Sequence, residues 1–233
     1  MPDLKKKIVF TAVIFVCFTA VCSFAATRRD LVQYIDRSES IIKYMMRSPD
    51  VSIPRHFLKD AYAVIFLRQY KAGFVLGAKG GNGIILAKDK ATGEWSPPAF
   101  VATAEGSFGF QIGGKMLDAI LLVMNEEGLT LLLKSPLKIG GEVSIAAGPV
   151  GREAGAKAGL PATGILIYSR ARGAFIGASF EGGIIVSDAD ANNLFYGIDG
   201  IKAREILLEG RVKMPEEAVS LIDTIKKYET SGE

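Results

Sequence analysis

Between Arg28 and Arg47 the apolar residues Leu31, Ile35, Ile41, Ile42 and Met45 recur at three- and four-residue spacing, with Ser38 on the same stripe. That period predicts an amphipathic helix. Ser48-Pro49-Asp50 ends it, because proline cannot continue the hydrogen-bond ladder, and Pro54 opens a short second helix over Arg55–Asp60. From Ala63 the period drops to two. Val64-Ile65-Phe66-Leu67 reads as a short buried strand, and Phe74 to Ala78 and Ile84 to Lys88 flank Lys79-Gly80-Gly81-Asn82-Gly83, which reads as a glycine-rich turn or bulge. Ala91-Thr92-Gly93-Glu94 predicts a second turn, followed by Trp95 and an edge-like Pro97-Pro98. Phe108, Phe110 and Ile112 alternate with Ser107, Gly109, Gln111 and Gly113, giving one bulky strand face and one nearly bare. Met116 to Asn125 is an apolar strand interrupted by Asp118, and Asn125 is placed to cap a helix beginning Glu126-Glu127. Ile139, Val143 and Ile145 alternate again, residues 164–170 and 174–186 complete the sheet, and helices follow at about 189–196, 201–208 and 215–229.

Glycine weakens both helix and strand interiors, so its repeated use inside alternating apolar segments signals strong curvature or close backbone approach. The expected fold is α+β: a strongly curved, glycine-rich antiparallel sheet, or a barrel-like one, with an N-terminal amphipathic helix and C-terminal helices.

Residues 1–25 break this pattern. Lys5, Lys6 and Lys7 precede the apolar run Ile8 to Phe24, and Ser23-Phe24-Ala25 offers small residues where a signal peptidase reads. The segment is expected to be an export signal. An uncleaved anchor and lipidation at Cys22 are the alternatives. Export would leave residues 26–50 as the amphipathic helix and 51–233 as the main domain. Both cysteines, Cys17 and Cys22, fall in this segment, so the remainder offers no disulfide, thiolate nucleophile or cysteine metal site. The same segment holds three lysines and Asp3. Of 28 basic and 25 acidic residues, 25 and 24 remain, so any basic surface must be local and nucleic acid is not an expected partner.

Candidate chemistry is sparse. Gly109 to Lys115 has the spacing of a phosphate loop, but Met116 stands where a magnesium-holding hydroxyl is needed and the flanking alternation is that of a strand. Asp188, Asp190, Asn192 and Asp199 fall at calcium-loop positions, with Asn193 where the turn wants glycine; a capped helix explains the same residues. His56 is the single histidine, which leaves no histidine-rich metal site and reads as a solvated helix residue. Asp118, amid apolar neighbours, needs a partner such as Lys115 or a backbone amide, or else lines a ligand cavity. Glu105, Glu142 and Glu181 could supply a carboxylate pair only if folding brought them together. No enzyme is expected, and no cofactor.

Lys71-Ala-Gly-Phe, Gly83-Ile-Ile-Leu-Ala, Trp95-Ser-Pro-Pro, Gly109-Phe-Gln-Ile-Gly, Asp118 with its apolar tail to Asn125, Gly148-Pro-Val-Gly-Arg152, Glu181-Gly-Gly, Asp190-Ala-Asn192 and Phe195-Tyr-Gly together resemble the SYLF domain, also called the Ysc84 actin-binding domain. The resemblance runs from about Pro54 to Leu208. It implies phospholipid binding, with actin filaments as a partner of some fungal members; for an exported chain, an anionic phospholipid membrane is the expected partner and actin is not. The family's membrane contact is associated with an amphipathic N-terminal helix, matched here to Arg28–Arg47. By default such a stripe faces a core; the expected mechanism inserts Leu31, Ile35, Ile41, Ile42 and Met45 at the bilayer interface while Arg28, Arg29, Arg37 and Lys43 engage head-group phosphates, and both hold if the helix docks in solution and is released onto lipid. Two alternatives stay open: a carrier holding a lipid or apolar ligand inside a barrel, and an envelope protein binding a protein partner through the sheet edge near Pro97-Pro98. The expected location is the periplasm or an envelope membrane.

Overall fold

The computed structural model describes residues 26–48, 52–134, 136–138, 145–149, 164–171 and 184–230, with backbone alone over 71–79, 105–115, 137–138, 145 and 170–171. The export segment, the alternation at Ile139 and Val143, Arg152, and the side chains of Glu105, Glu142 and Glu181 lie outside what is described.

The elements in order are α1 (Arg28–Arg47), α2 (Arg55–Asp60), β1 (Ala63–Ala87), β2 (Ala99–Val123), α3 (Glu126–Lys134), β3 (Leu137–Lys138), β4 (Ile145–Ala147), β5 (Ile165–Ala171), β6 (Ile184–Ser187), α4 (Ala189–Tyr196), α5 (Ala203–Leu207) and α6 (Glu216–Thr230). The two N-terminal helices coincide with the segments their periodicity and prolines predict. Thr27 and Asp30 close a reciprocal capping box at the start of α1. The Asn125 side chain accepts from the Gly128 N–H at 2.8 Å and starts α3 as expected.

β1 and β2 form a long antiparallel hairpin, in register from Ala63↔Val123 to Ile85↔Ala99 with one irregularity between Gly73 and Val75. The expected turn or bulge at Lys79–Gly83 is instead part of β1, which runs through it unbroken and in register. Glycine there answers a different need. β1 doubles back, so that the Lys88 N–H donates to the Tyr62 carbonyl at 2.8 Å and joins its two ends. A Cβ on Gly83 would lie 2.9 Å from the carbonyl carbon of Phe66 and 3.0 Å from Cα of Leu67, with the Phe66 oxygen nearer still. Only glycine lets the two halves of the strand pass this closely.

The outer edge of β2 carries β5 at one end and β6 at the other. The two share one register: as many residues separate Ala104 from Leu117 as separate Ala171 from Ile184. β3 extends the sheet beyond β6, and β4 lies parallel to β5, the one parallel pair among the described strands. β3 and β4 end the strand order without meeting, so the sheet is strongly curved but open, and the barrel-like alternative gives way to it.

Alternation along the strands divides the apolar residues between two cores. Val64, Phe66, Ile84, Leu86, Ile120 and Leu122 face a core completed by α1, α2, α4 and α6. Ile65, Leu67, Ile85, Leu121 and Val123 face a second core capped by α3 and α5. This end of the sheet is therefore sandwiched between helical layers, and the described residues enclose no barrel interior for a ligand. The side chains of Lys88 and Glu229 pair at 2.8 Å, nearly buried, and pin the end of β1 to α6.

Candidate functional site

α1 is docked. Its stripe residues Leu31, Ile35, Ile41, Ile42 and Met45 are all buried, as is Ser38, and they belong to the first core with Leu221, Ile222 and Ile225 of α6. In this arrangement the stripe is the face that holds the helix to the protein, and the five residues are covered in the docked state.

The basic residues have separate fates. Arg28 pairs with Glu217 at 2.8 Å, donates to the Phe195 carbonyl at 3.3 Å and lies over the Phe195 ring at 4.7 Å. Arg37 is partly buried, donating to Asn82 at 3.2 Å over the ring of Tyr34, so it fastens α1 to β1 and presents little to a head group. Lys43 pairs with Glu39, which also accepts from Ser220 at 2.8 Å and Thr224 at 3.1 Å of α6. Burial raises the Glu39 pKa, but the bonds from Lys43, Ser220 and Thr224 together outweigh it and leave the carboxyl below its ordinary value. Arg28, Arg29, Lys43 and Arg47 are exposed, and Asp36 is the single exposed acid among them on α1. The outer face of the docked helix is thus locally cationic on a chain of nearly balanced charge. Arg47 was not among the residues expected to engage phosphates.

Beside the C-terminal half of α1 a pocket of about 320 Å³ opens where the helical layer stops short of the sheet. Its wall is Ser40, Ile41, Tyr44 and Met45, and its floor is Arg68, Met116 and Asp118. The period of two makes this floor. Past the core residues Phe66 and Ile120, the next rungs on the same face are Arg68 opposite Asp118 and Tyr70 opposite Met116. Arg68 donates from Nε to Asp118 Oδ1 at 2.5 Å and from Nη2 to Oδ2 at 2.7 Å, a bidentate pair with side chains 23% and 19% exposed. The bond to Asp118 makes the Arg68 guanidinium bind its proton more tightly than usual, against the opposing effect of burial. Asp118 therefore has its partner across the hairpin in Arg68, and it also lines a cavity. Arg68 was missed because the strand at Val64–Leu67 was ended too early. Its sequence signal is the continued alternation Val64, Phe66, Arg68, Tyr70.

The remaining candidates resolve locally. Residues 109–115 lie within β2, so they form no loop opening onto a helix. Asp188 caps α4 by accepting from the Ala191 N–H at 3.0 Å, and Asn192 is committed to the backbone of Phe100. No group of histidine, cysteine and carboxylate residues able to hold a metal ion occurs among the described residues. His56 is exposed, stacked beside Phe57. Pro97 and Pro98 form no open edge: Pro98 is buried and its carbonyl accepts from the Tyr196 hydroxyl at 2.7 Å. No described helix is long and apolar enough to cross a membrane.

This docked helix and doubled-back hairpin sit on a chain with clear relatives. Residues 104–228, from within β2 into α6, match the family model Ysc84, described as "Las17-binding protein actin regulator". The chain belongs to the Ysc84 family. It is 35% identical over 182 residues to SH3 domain-containing YSC84-like protein 1 of Xenopus laevis, covering 77% of this chain and 54% of that protein. Its human counterpart is 32% identical over 191 residues, with 79% and 55% covered. Protein YSC84 of Saccharomyces cerevisiae is 35% identical over 177 residues, 74% of this chain and 37% of its own length. The chain thus spans about half the length of its vertebrate relatives and less of the yeast one. The family description names binding and actin regulation.

Proposed function

We propose that this Ysc84-family chain is a non-enzymatic phospholipid-binding protein of the bacterial cell envelope, adhering to anionic membranes through the outer face of α1. The observation that carries the reading is the exposed set Arg28, Arg29, Lys43 and Arg47, of which Arg28 pairs with Glu217 and Lys43 with Glu39, with Asp36 the one fully exposed acid of that helix. Each basic residue near an anionic surface contributes about 1 kcal/mol. The basic and then apolar segment Lys5 to Ala25 supports export. A cell-envelope location in turn weighs against actin as this chain's partner.

The helix stays docked in this mechanism. Releasing it would expose five large apolar side chains, each worth roughly 1.5–3 kcal/mol of burial. A bilayer could take those five back. It could not recover the facing Leu221, Ile222, Ile225, Val64 and Phe66, which would be left in water. A few cations at about 1 kcal/mol each do not offset that loss.

Co-sedimentation of the full chain with phosphatidylglycerol vesicles over a range of salt tests the proposal. Binding should weaken as screening rises. Reversing three charges (Arg29→Glu, Lys43→Glu, Arg47→Glu) removes about 3 kcal/mol or more, so affinity should fall roughly 100-fold. Unchanged affinity would sink the reading. A reducible cross-link between Glu39→Cys and Ser220→Cys, in a Cys17→Ser/Cys22→Ser background, should leave binding intact. Loss of binding on cross-linking would show that α1 must leave the core. Co-pelleting with actin filaments would reinstate the partner named for the relatives.

A further inference from the structure

The pocket beside α1 has a chemistry that the cationic face does not account for. Three of its lining residues, Ile41, Met45 and Met116, are apolar, while Arg68 and Asp118 bring a full positive and a full negative charge side by side. A partly desolvated ion pair is a costly way to cover a sheet face, since apolar residues of similar volume often serve as well or better. The bidentate contact consumes two of the guanidinium's five N–H donors and one lone pair on each carboxylate oxygen. Tyr70 also hydrogen-bonds the guanidinium, and with both side chains still about one-fifth exposed the donors and acceptors left over are within reach of a ligand. A pocket of about 320 Å³ is at the small end of ligand sites, sized for a head group and the first few methylenes and too small for whole acyl chains.

We propose that this pocket binds a zwitterionic amphiphile of the phosphoethanolamine type, its phosphate on the N–H donors of Arg68 that Asp118 and Tyr70 leave over, its ammonium on Asp118 and its first methylenes against Ile41, Met45 and Met116. Adjacent opposite charges match adjacent opposite charges, whereas a purely anionic head group would meet Asp118 with a repulsion. Tyr44, exposed on the pocket wall, adds an aromatic face that favours an ammonium. The inference deepens the phospholipid-binding reading by naming a head-group class. It concerns a different surface from the α1 cations.

The test titrates the full-length protein with dihexanoylphosphatidylethanolamine below its micelle concentration, by calorimetry and by amide chemical-shift mapping. Dihexanoylphosphatidylglycerol and free phosphoethanolamine serve as comparison probes. Saturable one-to-one binding is expected, at least 10-fold tighter for the ethanolamine lipid than for either comparison probe, with shifts centred on Ser40, Tyr44 and Met116. The double variant Arg68→Met/Asp118→Leu removes the pair without leaving a lone charge, and should weaken binding at least 10-fold while keeping its melting temperature. No binding, equal binding of the phosphatidylglycerol probe or of free phosphoethanolamine, or shifts centred elsewhere would overturn the proposal. The shift map needs no variant, so it decides the matter even if the double variant misfolds. Adhesion of the double variant to phosphatidylglycerol vesicles reports on the α1 surface alone. If vesicle adhesion is seen while the unsubstituted protein shows no pocket binding, the pocket proposal falls and the membrane reading stands. Pocket binding without vesicle adhesion is the converse result.

Discussion

Replacing Gly83 by alanine should be among the most disruptive single-methyl additions this protein can receive. The new Cβ would start 2.9 Å from the carbonyl carbon of Phe66 and 3.0 Å from Cα of Leu67, whereas ordinary contact begins at 3.4 Å. The obstacle is backbone, so no rotamer change relieves it. The retreating residues, Phe66 and Leu67, are fully buried in opposite cores, so both helical layers must adjust. Overpacking of this kind costs about 1–3 kcal/mol. Separating the two ends of β1 also strains the bond from the Lys88 N–H to the Tyr62 carbonyl, worth about 1 kcal/mol. A net loss of about 3 kcal/mol follows, which for a chain of this size lowers Tm by roughly 6–12 °C. Gly80 is the internal control. A Cβ there meets nothing nearer than the Thr103 carbonyl oxygen at 3.8 Å. Gly80→Ala should therefore be neutral, or stabilising by about 0.4–1 kcal/mol through the unfolded chain. Urea unfolding of both variants measures the difference. Values for Gly83→Ala and Gly80→Ala within about 0.5 kcal/mol of each other would refute the close-approach account of these glycines.

Further outcomes concern buried polar groups and acid. Asn192 is fully buried and accepts from the Phe100 N–H at 2.8 Å. Asn192→Ala strands that donor and should cost about 1–3 kcal/mol in the same assay. Glu39 has a folded pKa below its ordinary 4.5. Its contribution to the α1–α6 junction is thus present above that value and fades as pH falls through the lower folded pKa. Glu39→Gln should flatten the acid limb of the stability–pH curve below about pH 4.5; an unchanged limb would show that another carboxylate governs it.

Much of the fold was legible because its signals are local. The three- and four-residue spacing from Leu31 to Met45 marked α1 to the residue, and Pro54, Asn125 and Asp188 marked helix starts through rules that involve only neighbouring backbone. Gly81 and Gly83 read as a turn or bulge because a local pattern cannot distinguish a chain that reverses from one that passes close to itself. The second requires knowing that Phe66 to Gln69 lie alongside. The candidate site was less legible. Asp118 announced that it needed a partner, but its partner Arg68 is fifty positions away and is specified by the hairpin register.

The amino-acid order alone determined an amphipathic first helix, a curved glycine-rich sheet, an absence of cysteine beyond residue 25 and the family to which the chain belongs. Only the tertiary structure decided where the apolar stripe of that helix sits in the folded chain. Core and bilayer make the same demand of such a stripe, removal from water, and periodicity records the demand without the supplier. The choice rests with α6 and β1, which cover Leu31 to Met45 and leave the cationic face outward.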